Sequence, residues 1–187
     1  MAEIKLQPFS WWRKPFIVWQ ALRRRYWLAL GFDVAVLVLL FWGINVWQSR
    51  HLLPSDGQLA PPFHLTALDG SVHDLEESRG KTRLVYFFAP WCHVCNLSAP
   101  NINALRRARR ADDLAIYMVA LSYSDLEEVQ AFQRRHDIQV PILLGDRKVI
   151  GDYHIRAFPT YYVIGPDGAL ESRAVGYSTE LGLRWRT

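Results

Sequence analysis

The pattern of apolar and polar positions divides the chain into one long apolar stretch near its start and a series of short segments after it. From Trp27 to Trp47 the chain reads WLALGFDVAVLVLLFWGINVW, 21 residues with Asp33 as the one charge. As a helix this stretch reaches about 31 Å, the thickness of a bilayer's hydrocarbon core. The pattern therefore predicts a transmembrane helix at 27–47. Pro54, Ser55, Asp56 and Gly57 then mark a linker at 48–60. Beyond it the periods shorten. TRLVYFFA (82–89) and LAIYMVAL (114–121) are apolar, β-rich runs suited to buried central strands. LSAPNINALRRARR (97–110) has helical spacing, with Pro100 as a kink or an early-turn proline. Ser124 or Asp125 can cap SDLEEVQAFQRRH, a helix with Leu126, Val129 and Phe132 on one face. VPILL (140–144) is a short strand, and DRKVIGDYH (146–154) one or two helical turns. TYYVI, PDG and ALESRAV (160–175) read as a β-hairpin. Strands alternating with helices and closed by a hairpin predict an α/β domain with a mixed sheet.

Composition narrows the class. Half the residues are hydrophobic and 13% aromatic, which suits a packed core and excludes a disordered chain. The formal net charge of +4 suggests a polyanionic partner until the charges are located. Residues 1–47 hold Lys5, Arg13, Lys14, Arg23, Arg24 and Arg25 against Glu3 and Asp33, which accounts for all of the excess. The rest is balanced, so no nucleic-acid partner is expected. Cations before the span, with Arg50 alone following closely, place the N-terminus in the cytoplasm and the remainder outside. Six of the eight Trp fall in residues 11–47, the distribution of interfacial belts. No small-x-small cleavage site follows the span, which is too long for a signal peptide, so the anchor stays attached. The expected organisation is a basic and aromatic cytoplasmic segment at 1–26, a lipid-embedded anchor at 27–47, a linker at 48–60 and a domain at 61–187.

The chemistry is concentrated in Trp91-Cys92-His93-Val94-Cys95, between a predicted strand and a predicted helix. At a helix N-terminus the unpaired N–H groups and the dipole favour an anion, so Cys92 suits a thiolate nucleophile. Cys95 lies within one turn and can attack a mixed disulfide on Cys92. His93, when protonated, would favour the thiolate further; otherwise it is an exposed spacer. Zinc would need two more ligands, and neither a second C-x-x-C nor H-x-x-x-H exists. Haem attachment would need His where Asn96 stands. A Cu(I) site with two thiolates and His93 stays open. A purely structural disulfide across so small a loop would stabilise little.

WCHVC after an apolar strand, Pro100 five residues past Cys95, and FPT at 158–160 before a strand resemble the thioredoxin fold. PPFHLTALDGSVHDLEESRGK (61–81) resembles the opening of the TlpA/ResA-like thioredoxins, and the whole is most similar to their suppressor-of-copper-sensitivity D-like branch of protein disulfide oxidoreductases. The resemblance covers residues 59–176. A peroxiredoxin would carry Thr or Ser where Ala89 stands. The resemblance implies a thioredoxin-like α/β fold behind one transmembrane helix, in a bacterial inner-membrane protein whose domain faces the periplasm. It implies Cys92 as the attacking thiol and Cys95 as the resolving thiol. Pro159 would be a cis-proline opposite the sulfurs. Phe158 would offer a backbone edge to a substrate strand, with Trp91 as an apolar contact beside it. The implied activity is reduction of protein disulfides with no dissociable cofactor and no metal, recharged by a membrane electron carrier. It would serve cytochrome c maturation or thiol repair under copper or oxidative stress. A disulfide-donating oxidase with the same cysteines, or a redox-inactive copper-binding protein, are the alternatives. The chain departs from the pattern in two acids. Many thioredoxins place a carboxylate six residues before the first cysteine, where Tyr86 stands, and some relatives place Glu at the position of Ser98. His93, water or the substrate's leaving thiolate would then take the Cys95 proton. The closing helix in STELGLRWRT is short.

Overall fold

The computed structural model describes residues 14–187, without the side chains of 14–25 and 45–49. The expectation for the segment at 1–26 therefore lies largely outside the described residues. The chain forms two compact units, divided between Val46 and Trp47. Helix α1 spans Lys14–Ser49 and is longer than the apolar run alone predicts. Within α1, Tyr26–Ile44 has a mean hydropathy of 2.2 and is long and apolar enough to cross a membrane.

The second unit is built on a five-stranded mixed sheet. Its strands are β3 (Thr82–Phe88), β4 (Leu114–Ala120), β5 (Ile142–Leu144), β6 (Thr160–Ile164) and β7 (Leu170–Val175). Their order is β5-β4-β3-β6-β7, with β3, β4 and β5 parallel and β6 and β7 antiparallel to their neighbours. A small antiparallel hairpin, β1 (His64–Thr66) with β2 (Val72–Asp74), forms a second sheet, and its turn meets β5 where the Leu68 N–H donates to the Ile142 carbonyl at 2.9 Å. Nothing in the apolar pattern announced the hairpin, because each strand has three residues.

Strand alternation sorts β3 between two cores. Leu84, Tyr86 and Phe88 face one core with helices α2 (His93–Ala108), α3 (Leu126–His136) and α5 (Glu180–Arg186). Val85 and Phe87 face the other, with α4 (Arg147–Asp152) and the β1–β2 hairpin. Asp125 caps α3 by accepting from Glu128 N–H at 3.0 Å, and Glu128 accepts from Ser124 N–H at 3.0 Å, a capping box displaced by one residue. Val129 and Phe132 are buried, whereas Leu126 is exposed because it occupies the first turn. Pro100 lies in the interior of α2, since that helix begins at His93.

Within the stretch at 48–60 expected to be a linker, both ends of 52–60 are anchored on the domain. Leu52, Leu53 and Ala60 are buried. Arg173 Nη1 donates to the Leu52 carbonyl at 2.7 Å and to that of Leu53, and Leu53 N–H donates to the Tyr162 hydroxyl at 3.2 Å. Leu59 bridges Ala169 beside β7. The turn formers at 54–57 are exposed between these anchored ends.

Candidate active site

The site forms where β3 runs into α2. Six buried residues of β3 set the direction of the chain, and Ala89 and Pro90, also buried, carry it to the turn. Cys92 is the N-cap of α2. Its sulfur accepts from Cys95 N–H at 3.3 Å, and its own N–H donates to the Ala89 carbonyl at 3.0 Å. The thiol of Cys92 points to the Phe158 carbonyl at 3.6 Å. Both cysteines are free thiols. Their exposures differ in a way that matters chemically. Cys92 keeps 7% of its surface at the mouth of the site, while Cys95 has none. Burial first, and Cys92 alongside second, push the Cys95 thiol well above its ordinary value; the Ala89 backbone and Tyr86 pull the other way.

The Phe158–Pro159 peptide bond is cis. Pro159 is buried and Phe158 half-buried, and the Phe158 carbonyl brings the β6 side of the sheet to the Cys92 sulfur. Trp91 projects beside them, 65% exposed. Its indole N–H donates to the Ser122 carbonyl at 2.7 Å, and its ring meets Phe158 edge-on at 5.9 Å. Ser122 adopts a left-handed φ of 52° just after β4. The structure thus brings Trp91, Cys92, Phe158 and Pro159 together at the mouth of the site, with Cys95 sealed behind Cys92. His93 is exposed on the first turn of α2. Among the described residues, no group of three or more His, Cys, Asp or Glu side chains is placed to hold a metal ion.

One residue beyond the motif holds the turn in place. Asn96 Nδ2 donates to the Cys92 carbonyl at 2.8 Å, and Asn96 Oδ1 accepts from Arg135 at 3.3 Å and lies 2.7 Å from His136 Nε2. Asn96 therefore ties the Cys92 backbone to the end of α3. Its place just after Cys95 was the only sequence signal for it. Behind the cysteines stands Tyr86, whose hydroxyl is buried without a hydrogen-bond partner. Burial pushes that phenol well above its ordinary value.

Comparison with known proteins places this geometry. Residues 57–173 match the AhpC/TSA family. The chain is 30% identical over 150 residues to the thioredoxin-like protein YneN of Bacillus subtilis, covering 78% of this chain and 88% of that one. It is 27% identical over 161 residues to the thiol-disulfide oxidoreductase ResA of the same organism, covering 84% and 89%. Among solved structures, a thioredoxin-family thiol:disulfide interchange protein from Chlorobium tepidum superposes with a TM-score of 0.65 at 21% identity, over 72% of this chain and 96% of its own. StoA from Bacillus subtilis gives 0.61 at 21%, over 68% and 97%. These likenesses show the thioredoxin-like fold, a mixed sheet flanked by helices, that the sequence motifs implied.

Proposed function

The chain belongs to the AhpC/TSA family as a ResA-like thiol–disulfide oxidoreductase, and from that premise we propose a membrane-anchored reductase of protein disulfides working outside the cytoplasm. The observation that carries the mechanism is the asymmetry of the two thiols. Cys92 sits at the mouth on a helix N-terminus, and Cys95 lies sealed one turn behind it with its backbone N–H on the Cys92 sulfur. Such a pair works in order. The Cys92 thiolate attacks a substrate disulfide, forming a mixed disulfide and releasing the first substrate thiol. Cys95 then attacks Cys92, the Cys92–Cys95 bond forms, and the second substrate thiol leaves. The substrate is reduced by two electrons and the protein oxidised by two, with no other cofactor required.

The substrate surface is Trp91 and Phe158, supported from behind by the buried Pro159. An exposed indole and a half-buried phenyl ring beside the sulfur suit an extended, partly apolar polypeptide. His93, exposed at the first turn, would act when protonated by favouring the thiolate. Helix α1 supports the anchor through the apolar stretch Tyr26–Ile44, and the cations ahead of it support an N-terminus in the cytoplasm and a periplasmic domain. Anchoring would hold the domain near a membrane electron donor, where a tether raises the effective concentration.

The reduction potential tests the direction. The full chain in detergent micelles is equilibrated in glutathione or dithiothreitol buffers and followed by tryptophan fluorescence, with Trp91 as the reporter beside the thiols. A value near thioredoxin's, about −270 mV, supports a reductase; one near DsbA's, about −120 mV, makes the protein a disulfide donor. Failure to form a Cys92–Cys95 disulfide at any poise would overturn the dithiol mechanism.

A further inference from the structure

Buried polar atoms in folded proteins are nearly always hydrogen-bonded, so an orphan beside reacting groups calls for an explanation. Among the described residues two buried side-chain atoms lack a partner, Arg83 Nε and the Tyr86 hydroxyl. Arg83 is otherwise engaged, since its Nη1 donates to the Leu75 carbonyl at 3.2 Å and its Nη2 to that of Gly165. Tyr86 has nothing. Its ring is firmly placed, stacked at 6.3 Å on Tyr161 and at 6.4 Å on Phe88. Tyr161 opposite it in β6 does find a partner, with Arg186 Nη1 donating to its hydroxyl at 2.9 Å. The contrast isolates the Tyr86 hydroxyl as uncommitted. It lies in the same buried cluster as both cysteines, and the side chains acting on it include Cys95, Ser98 and Cys92. Ser98 has already committed its proton to the Val94 carbonyl at 2.8 Å, so it has no hydrogen to offer Cys95.

We propose that the Tyr86 hydroxyl is a positioning donor for the resolving step, giving its hydrogen bond to the Cys95 sulfur as negative charge develops there. This rests on the dithiol reading above and names the residue that does the work of the absent carboxylates. A carboxylate at this position would take the proton. Tyr86 instead stays neutral, because its buried site opposes the phenolate, and acts only as a donor. In the step itself the Cys95 S–H proton passes to the departing substrate sulfur where that sulfur is basic enough to keep it, and to water where the leaving group departs as a thiolate. The Cys95–Cys92 bond forms, the bond from Cys92 to the substrate breaks, and the Tyr86 O–H points at Cys95 throughout. The orphan hydroxyl thus acquires its partner only when the thiolate exists, an interaction realised in the reaction and not in the resting state.

The test separates attack from resolution within one trace. The reduced full chain in detergent micelles is mixed with a twofold excess of dithionitrobenzoate, an aromatic disulfide that releases one coloured thiolate on attack and a second on resolution. Tyr86→Phe keeps the ring and both stacks. In this variant the ratio of the second rate to the first should fall about tenfold, as expected for losing a hydrogen bond to a charged group. The pH profile of the second phase should move about one unit to the alkaline side. A second phase with the wild-type ratio and pH profile overturns the assignment. Cys95→Ser should show the first phase alone and Cys92→Ser neither. A first phase that survives in Cys92→Ser would overturn the dithiol reading, and the role of Tyr86 with it.

Discussion

Replacing Tyr86 with Phe should make the resting protein more stable. The hydroxyl of Tyr86 is buried with no partner, and a buried polar group left unsatisfied costs about 1–3 kcal/mol. Phe preserves the stacks on Phe88 and Tyr161 and leaves vacant only the space of one oxygen, worth a few tenths of a kcal/mol in lost contacts. The net expectation is a gain of about 1 kcal/mol. For a unit the size of Trp47–Thr187 that raises the melting temperature by about 3–5 °C. The measurement is a thermal melt of the reduced full chain at neutral pH, followed by near-ultraviolet circular dichroism. Alkaline pH sharpens it. The folded Tyr86 phenol titrates well above the unfolded value of about 10. Its contribution to stability is therefore full below pH 10 or so and is lost as pH rises through the folded value. Tyr162, pushed up to about 12 by burial, and Tyr153, pushed up by burial too, carry the same sign. Phe cannot ionise, so the variant's advantage should widen above about pH 10. A melting temperature lower than wild type would refute the reasoning, because it would show that the hydroxyl is bonded in the resting state. A rise in stability together with slower resolution would be a trade of stability for function.

The remaining predictions concern the cysteines and the chain that packs beneath the domain. Cys92→Ser should abolish disulfide exchange, whereas Cys95→Ser should accumulate mixed disulfides with substrate proteins on non-reducing gels; no trapped species from cells carrying Cys95→Ser would count against the order of attack. Alkylation of the folded, reduced chain at neutral pH should label Cys92 alone, since Cys95 is inaccessible and its thiol is held protonated by burial. Mass spectrometry showing both sites modified at similar rates would contradict that. Arg173→Ala removes the donor to the Leu52 and Leu53 carbonyls and should cost about 1.5–3 kcal/mol while opening residues 52–60 to proteolysis. Unchanged stability and an unchanged cleavage pattern would show that this segment is held by its buried leucines alone.

Local pattern was enough to specify the elements that carry the site. The apolar runs at 82–89 and 114–121 became β3 and β4 because a strand buried on both faces needs no alternation. Asp125 and Asp146 each sit where a side-chain oxygen can cap the next helix, and each does. The CxxC segment between an apolar strand and a helical pattern located the chemistry, since a helix N-cap is a local arrangement. Residues 52–60 read as linker for the same reason. Their composition is that of coil, and the signal that anchors them, Arg173 and Tyr162, lies more than 100 residues away.

What the sequence determined by itself was the pair of cysteines proposed to react, the order of strand, turn and helix around them, and an apolar stretch long enough to span a bilayer. Those follow from periodicity, capping and residue chemistry, which act over a few neighbouring residues. Only the tertiary structure decided which thiol is sealed and which is open, which backbone faces Cys92, and which buried hydroxyl lacks a partner. Burial and hydrogen-bond satisfaction depend on what packs on each atom. Tyr86 illustrates the division. In the sequence it is a missing acid; with β6 and α2 packed around it, it is a buried hydroxyl without a partner in the same cluster as both cysteines.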